Sequence, residues 1–283
     1  MRKLEQGWDR LQPVHTGLQS GQAEACPTIG NFSGKVAGYA AHRWNYAPAA
    51  IEHIVQTAQL TAGSVVADIG AGTGMLGEHF LGRAGRVFAI EPNAEMRQAA
   101  SFEMLDGRSD ATTLPDRSVD LIAVGRAIHW FPPESTKAEF QRILKPGGFL
   151  AVLRIPCADE NLLAALNAIK TEANGWNREL NEIRKSQPPL EFYFGHGDFE
   201  RLRFPSFVRE CWDEFFGRLC SFAVAPSPAH PGFAAFQQAA RDVFDRFRSD
   251  EFLTVPLATE LFLGRITQDD RGLSLGIYTH DTF

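Results

Sequence analysis

Short apolar runs alternate with helical patterns between Ser64 and Ile155. A run such as Val87-Phe88-Ala89-Ile90 is continuously apolar, which is typical of a strand that is covered on both faces. The pattern predicts strands near 64–69, 86–91, 102–106, 119–124 and 148–155, and helices near 74–82, 93–101 and 134–144. Strands and helices in this alternation indicate βαβ units and a parallel sheet.

The residues on either side of this region are mainly helical in pattern. Apolar residues recur at helical spacing between Phe32 and Thr57, which predicts helices in front of the sheet. After Pro156 the pattern predicts a helix near 159–185, an extended segment after a phenylalanine-rich stretch, a helical block over 213–248, and a last strand from Phe252 to Ile266. Residues 1–30 are polar with weak periodicity, and we expect them to be loosely ordered.

Composition and charge disfavour several classes of protein. The chain has 283 residues, and its 28 Lys and Arg against 34 Asp and Glu give a net charge of -6. An acidic chain without a dense basic run is a poor binder of nucleic-acid phosphates. The four cysteines form no CxxC pair and predict neither a zinc site nor a disulfide framework. No apolar segment approaches about 18 residues, so we expect a cytoplasmic protein without membrane contact.

A glycine-rich turn follows the first predicted strand, which ends in Asp68. Glycines allow a ligand to touch the backbone, and the carboxyl end of this strand is where open α/β sheets bind nucleotides. The segment 72–77 formally satisfies GxGxxG, and Glu91 could hold a ribose as in a dinucleotide fold. However, Asp68 lies where a pyrophosphate would approach and would repel it. The acid favours a ligand with a cationic amino group, such as S-adenosylmethionine.

Several motifs in order resemble the class I S-adenosylmethionine-dependent methyltransferases, in particular the UbiE-like and trans-aconitate-methyltransferase-like small-molecule group. They are the first motif at 68–74, the acid of the second strand at 89–96, the adenine-binding segment at 109–115, the fourth strand at 118–122, the turn into the fifth strand at 144–148, and the last strand at 255–265. The resemblance implies an α/β fold with a Rossmann-like seven-stranded, mostly parallel sheet, an antiparallel last strand and a helical cap and lid.

The same resemblance implies a domain organisation. Residues 31–266 would form the methyltransferase domain, with lid helices at 31–57 and a cap insertion at 213–248. Residues 1–30 would be an N-terminal segment and residues 267–283 a C-terminal tail, neither of which the resemblance covers.

The resemblance also implies cofactor contacts. Glu91 would accept two hydrogen bonds from the ribose hydroxyls, and Asp110 one from the adenine amino group. Arg43 would pair with the cofactor carboxylate, and Met96 would pack beneath the adenine. The full implied set is Arg43, Asp68, Gly70, Ala71, Gly72, Thr73, Gly74, Glu91, Pro92, Met96, Ser109, Asp110, Ala111, Gly125, Arg126 and Ala127.

His129 follows the fourth predicted strand, where this fold places the reacting methyl group, and is the candidate general base. Tyr39 and His42, on the predicted lid, are the reserve candidates. Trp130, Phe215, Phe216 and Arg218 are the candidate substrate residues, because an aromatic face with one cation suits a carboxylate-bearing or aromatic acceptor. Structural alternatives remain. His129 could be bonded to the backbone, and the aromatic residues could belong to the core. No clustered His, Asp and Glu set indicates a metal.

The sequence therefore predicts methyl transfer from S-adenosylmethionine to an oxygen, nitrogen or carbon atom of a small molecule. Three alternatives remain: a non-catalytic protein that binds S-adenosylmethionine, an NAD-dependent reductase, and an RNA methyltransferase. Neither the acceptor nor the oligomeric state follows from the sequence.

Overall fold

The computed structural model describes residues 43–172, 186–195, 199–222 and 225–267. Two of the candidate catalytic residues, Tyr39 and His42, lie outside the described residues, as do the predicted N-terminal segment and nearly all of the predicted tail. Among the described residues, no helix combines the length and the apolar character needed to cross a membrane.

A single mixed sheet forms the centre of the fold, in the strand order β2-β1-β3-β4-β6-β5. Its strands are β1 (Val65–Ile69), β2 (Arg86–Ile90), β3 (Val119–Gly125), β4 (Leu144–Arg154), β5 (Phe199–Glu210) and β6 (Leu253–Arg265). The first four strands pair in parallel, whereas β6 is antiparallel to both β4 and β5. The mostly parallel α/β sheet with an antiparallel last strand is therefore confirmed.

The sheet differs from the prediction in strand number, because the described residues form six strands and not seven. The predicted strand at 102–106 makes only one isolated bridge, between Ile90 and Leu105. The backbone of Leu105 is hydrogen-bonded to Ala89 and Glu91. Exposed residues at 103 and 106 leave too short an apolar run for a longer ladder.

The helices are α1 (Pro48–Thr57), α2 (Ala94–Gln98), α3 (Pro133–Ile143), α4 (Glu160–Glu172), α5 (Glu191–Phe194), α6 (Trp212–Cys220) and α7 (Phe233–Phe247), with 3₁₀ turns at Gly77–Phe80 and Ile128–Trp130. The helix predicted at 74–82 is only the first of these 3₁₀ turns, because glycines disfavour a longer helix there. The helical block predicted at 213–248 is α6 and α7, which are separated by a segment with Pro226, Pro228 and Pro231.

Helices cover both faces of the sheet. On one face Val66 and Leu121 pack with apolar residues of α1, α4, α6 and α7. On the other face Ala67 and Ile122 pack with apolar residues of α3 and α5. All five residues of β1 are buried. This two-sided burial is the physical reason for the continuous apolar runs of the sequence.

A buried ion pair joins the end of β5 to α6. Arg218 Nε donates to Glu210 Oε1 at 2.7 Å and Arg218 Nη2 to Glu210 Oε2 at 2.9 Å, and both side chains are less than a tenth exposed. Trp44 Nε1 donates to the same carboxylate at 2.8 Å, and the guanidinium lies 4.1 Å from the centre of the Trp44 ring. The segment before α1 is thereby fixed to α6.

We expect Arg218→Met to lower the free energy of unfolding by about 3–5 kcal/mol, because the Glu210 carboxylate then stays buried without its cation. The double replacement Arg218→Met with Glu210→Leu should recover much of this loss. Urea unfolding measures both variants. Arg83→Met, which breaks the exposed pair of Arg83 and Glu52, is the control and should leave stability unchanged. An Arg218→Met variant as stable as this control would contradict the prediction.

Candidate active site

The carboxyl ends of three parallel strands bring the candidate residues together. Asp68 is the second-last residue of β1, Glu91 directly follows β2, and Gly125 ends β3. The three strands are neighbours in the sheet, so these positions lie at one edge of it. This is the edge at which open α/β sheets bind their ligands.

The turn after β1 needs its glycines. Gly70, Gly72 and Gly74 have φ angles of +68°, +60° and +86°, a backbone region that other residues rarely adopt. A Cβ on Gly70 would also lie 2.8 Å from both Ala127 Cβ and Phe131 Cζ. The backbone N–H groups of Gly70 and Ala71 donate to the carbonyl oxygen of Ile90. The turn is therefore held close to the end of β2.

Glu91 spans the space between this turn and α2. Its Oε2 accepts from the Gly72 N–H at 2.9 Å and its Oε1 from the Asn93 N–H at 2.9 Å. Burial raises the pKa of Glu91, while the two backbone N–H groups act in the opposite direction. A carboxylate has about four acceptor positions, so each oxygen keeps capacity for one further donor such as a hydroxyl.

Asp68 is a buried acid with one unused oxygen. It is 1% exposed, and its Oδ2 accepts from the Gly77 N–H at 2.8 Å. Its Oδ1 is buried and has no hydrogen-bond partner among the described residues. Burial raises the pKa of Asp68 to about 7, and the charge of Glu91 adds to this rise. A cation beside Oδ1 would satisfy that oxygen and favour the ionised carboxylate.

Met96 lies in α2, and Asp110 lies in the loop between α2 and β3. Met96 is 2% exposed, and its N–H donates to the side chain of Asn93 at the start of α2. Asp110 accepts two hydrogen bonds from Arg108, each of 2.9 Å. Ser109 is buried, and its hydroxyl lies 2.9 Å from that of Thr136. The adenine contacts of Met96 and Asp110 stay predictions.

The end of β3 makes a sharp change of direction at Arg126, whose φ is +57°. Arg126 Nη2 lies 3.2 Å from Met75 Sδ, and the guanidinium lies 5.3 Å from the centre of the Tyr46 ring. A Cβ on Gly125 would lie 2.1 Å from the Tyr46 hydroxyl oxygen. Gly125 is therefore a glycine because Tyr46 lies against its backbone.

His129 lies in the 3₁₀ turn that begins three residues after β3. It is partly exposed, and its ring centre lies 4.6 Å from that of Trp130. The backbone N–H of Trp130 donates to the carbonyl oxygen of Ala127, which closes the turn. His129 is thus a partly accessible imidazole on the loop after β3, and its role as a base stays a prediction.

The predicted substrate residues of the cap pack against other parts of the protein. Phe215 is completely buried, and Phe216 stacks on Trp212 with ring centres 5.0 Å apart. Arg218 is held by Glu210, as described above. Arg43, predicted to bind the cofactor, donates to the Ser221 carbonyl oxygen at 3.3 Å and lies 4.5 Å from the centre of the Phe222 ring. The ligand contacts of these residues stay predictions.

Sequence reasoning missed three residues around the site. Tyr46 lies against Gly125, and Asn45 Oδ1 lies 2.8 Å from His79 Nε2. Burial lowers the pKa of His79. Trp44 is bonded to Glu210. All these contacts join positions far apart in the chain, so no local spacing could have predicted them.

Comparison with known proteins shows that the region of this site is similar to methyltransferases. Residues 67–152 match the family model described as a methyltransferase domain. An uncharacterized methyltransferase of Mycobacterium tuberculosis is 33% identical over 158 residues, which are 54% of this chain and 58% of the relative. The ubiquinone/menaquinone biosynthesis C-methyltransferase UbiE of Hydrogenovibrio crunogenus is 31% identical over 127 residues, 40% of this chain and 50% of that protein. Each match spans less than two thirds of the relative.

The fold is also found among solved structures. A candidate type II methyltransferase from Anaeromyxobacter dehalogenans superposes with a TM-score of 0.55 at 19% identity, covering 78% of this chain and 96% of the other. This likeness supports the fold. With the family match, it confirms the resemblance to methyltransferases that the motifs predicted.

We expect Asp68→Asn to change how stability depends on pH. The pKa of Asp68 rises on folding from 3.8 to about 7, so the unfolded chain loses this proton at lower pH. As pH rises from about 3.8 to about 7, ionisation of Asp68 therefore lowers the free energy of unfolding. Asparagine does not ionise, so the variant lacks this dependence. Melting temperatures at pH 5 and pH 8 should show wild type losing stability relative to the variant. Parallel pH profiles would contradict the prediction.

Proposed function

We propose that this protein transfers a methyl group from S-adenosylmethionine to a small-molecule acceptor. The observation that carries the proposal is a pair of buried acids, Asp68 and Glu91, on either side of a glycine turn at the carboxyl edge of a methyltransferase domain. The proposal concerns the whole protein, whereas the family match covers residues 67–152.

The chemistry of the donors and acceptors suits S-adenosylmethionine. Asp68 Oδ1 would accept from the cationic amino group, and this oxygen has no other partner among the described residues. Glu91 would accept from the two ribose hydroxyls with the positions left beside the Gly72 and Asn93 N–H groups. Asp110 would accept from the adenine amino group while it keeps its pair with Arg108.

The same acids disfavour a dinucleotide cofactor. A pyrophosphate at the glycine turn would lie near Asp68 and Glu91, two acids that accept hydrogen bonds from the backbone of this segment. The two carboxylates would repel the pyrophosphate. The Gly72 and Gly77 N–H groups could otherwise donate to it, but they already donate to Glu91 and Asp68. An NAD-dependent reductase is therefore a poorer fit than a methyltransferase.

When bound, S-adenosylmethionine supplies a methyl group activated by a sulfonium. The acceptor's electron pair would form the new bond to the methyl carbon as the carbon–sulfur bond breaks, and sulfur would keep that bond's electrons in S-adenosylhomocysteine. The chain's own part is to align the two reactants and exclude water. The residues of the turn and of the loop after β3 would hold the two reactants at the same edge of the sheet.

His129 would contribute one proton transfer where the acceptor is a hydroxyl or an amine. A neutral imidazole can take that proton as the acceptor attacks. An acceptor carboxylate is already ionised near neutral pH and needs no base. The requirement for His129 therefore distinguishes two classes of acceptor.

We expect Glu91→Ala to weaken binding of S-adenosylhomocysteine by about 1.5–3 kcal/mol, since the variant lacks a charged acceptor of hydrogen bonds. Isothermal titration calorimetry measures the affinity, and circular dichroism at the same temperature checks that the variant is folded. Glu95→Ala, an exposed acid of α2, is the matched control and should bind as wild type does. Unchanged affinity in a folded Glu91→Ala variant would remove Glu91 from the site.

We expect His129→Ala to lower turnover by about 10²–10⁴-fold for hydroxyl or amine acceptors, with nearly unchanged affinity for S-adenosylhomocysteine. The assay is release of S-adenosylhomocysteine with a panel of hydroxyl, amine and carboxylate compounds. With wild type, the rate should rise with pH through an ionisation near neutrality. Full activity of the variant with a flat pH profile would refute the base assignment.

The same panel separates the alternative functions. Binding of S-adenosylmethionine without turnover on any acceptor would favour a non-catalytic binding protein. Thermal stabilisation by NAD but not by S-adenosylmethionine would favour a reductase. Turnover on RNA, with retention that weakens at high salt, would favour an RNA methyltransferase.

A further inference from the structure

The two antiparallel strands β5 and β6 pair with each other beyond the end of β4. β4 pairs with β6 only as far as the pair of Arg154 and Glu260, whereas the pairing of β5 with β6 continues to Glu210 and Leu253. Beyond the pair of Arg154 and Glu260, residues 156–158 lie along the other side of β6, where Cys157 forms one bridge with Leu257. We call the part from Arg203 to Glu210, with residues 253–260 of β6, the ribbon. Among the described strands, β5 has no neighbour on its other side.

The two faces of this ribbon differ. On one face Val208 packs in the core, with Val255 opposite it, and Glu210 is buried beside Leu253. On the other face Phe207 is 68% exposed, with the exposed Pro256 opposite it and the exposed Pro205 two residues before it. An exposed aromatic beside two exposed prolines is an apolar patch with no described element over it.

Arginines surround this apolar patch. Arg203 and Arg209 lie on the same face of β5, before and after Phe207, and Arg201 continues the row. Arg154 of β4 reaches the same face, where its guanidinium lies 5.7 Å from the centre of the Phe262 ring. We name the set of Arg154, Arg201, Arg203, Pro205, Phe207, Arg209 and Pro256 the ribbon face.

The charge of the ribbon face is opposite to that of the whole chain. Within β5 and β6, the acid of this face is Glu260, whose carboxylate lies 3.8 Å from Arg201 and 3.5 Å from Arg203. Glu191 of α5 also interacts with Arg154. Four arginines thus meet two acids on this face, in a chain with a net charge of -6. Arginine beside exposed aromatic residues is the composition that protein interfaces favour.

A simpler reason for these arginines is protection of an exposed strand edge against aggregation. That reason explains charged residues, but it does not explain why a large aromatic side chain is left exposed among them. A second copy of this chain is also a poor occupant, because a two-fold contact through this face would place arginines near arginines. A partner with acidic groups would pair with the arginines, and its apolar side chains would cover Phe207.

We propose that the ribbon face binds an acidic segment of a partner protein, with Phe207 in contact with apolar side chains and Arg203 and Arg209 paired with carboxylates. The seven residues from Arg203 to Arg209 span about 20 Å. An extended acidic segment of similar length matches this spacing. This surface is separate from Asp68 and Glu91, so the inference does not depend on the proposed chemistry.

The test uses a fluorescein-labelled peptide of alternating glutamate and leucine, long enough to cover about 20 Å, and measures its binding to the full chain by fluorescence anisotropy. We expect binding that weakens with salt. Arg203→Gln with Arg209→Gln should weaken it by about tenfold, and Phe207→Ser by a similar factor. Phe207→Ser should leave binding of an all-glutamate peptide nearly unchanged.

Arg83→Gln with Arg246→Gln removes two exposed arginines elsewhere and is the charge-matched control, which should bind the peptide as wild type does. Affinity for S-adenosylhomocysteine should be the same in all variants that are folded. Peptide binding that is insensitive to the ribbon-face variants would overturn the proposal. Tighter binding of an RNA oligonucleotide or of phosphatidylserine vesicles than of the peptide, through the same arginines, would also overturn it. Self-association in sedimentation experiments that Phe207→Ser abolishes would overturn it as well.

Discussion

The carboxylate of Glu91 connects the parts of the candidate site. Because it accepts from Gly72 and from Asn93, it joins the turn after β1 to the start of α2. The N–H groups of Gly70 and Ala71 add a second connection, to the carbonyl oxygen of Ile90. The turn can therefore keep three positive φ angles without moving away from the sheet, and its shape is set before any ligand binds.

This arrangement lowers the stability of the protein. Burial raises the pKa of both Asp68 and Glu91, which means that the fold holds two acids where their charged forms are unfavourable. Hydrophobic residues at these positions would be easier to bury. Groups that destabilise the fold while shaping one edge of it are typical of functional sites, where preorganisation takes precedence over stability.

The sequence predicts the parts of the fold that depend on local pattern. The five buried residues of β1 and the glycines that follow it identify the strand and its turn, and the acid after β2 identifies the opposite side of the site. The run at 102–106 has the composition of a strand but forms one bridge, because strand formation depends on the neighbour that it meets. Local pattern cannot supply that information.

Contacts between distant segments were beyond prediction for the same reason. Arg218 has the spacing of a residue that faces a ligand, yet the structure pairs it with Glu210, which is on another element. This pairing depends on the tertiary position of Glu210, which no local pattern around Arg218 shows. Tyr46 likewise has no local signal, since its packing partner Gly125 lies on β3.

These long-range contacts meet in the short segment before α1. Trp44 is bonded to Glu210, which holds α6, whereas Asn45 contacts His79 after the glycine turn and Tyr46 lies against the end of β3. The segment therefore contacts both α6 and the edge of the sheet that carries the candidate site. Methyl transfer by alignment requires two reactants at a fixed separation. Under the proposed function, a segment that fixes α6 relative to the carboxyl edge would provide that separation. It would also give a physical reason for the buried ion pair of Arg218 and Glu210, where apolar residues would suffice for stability.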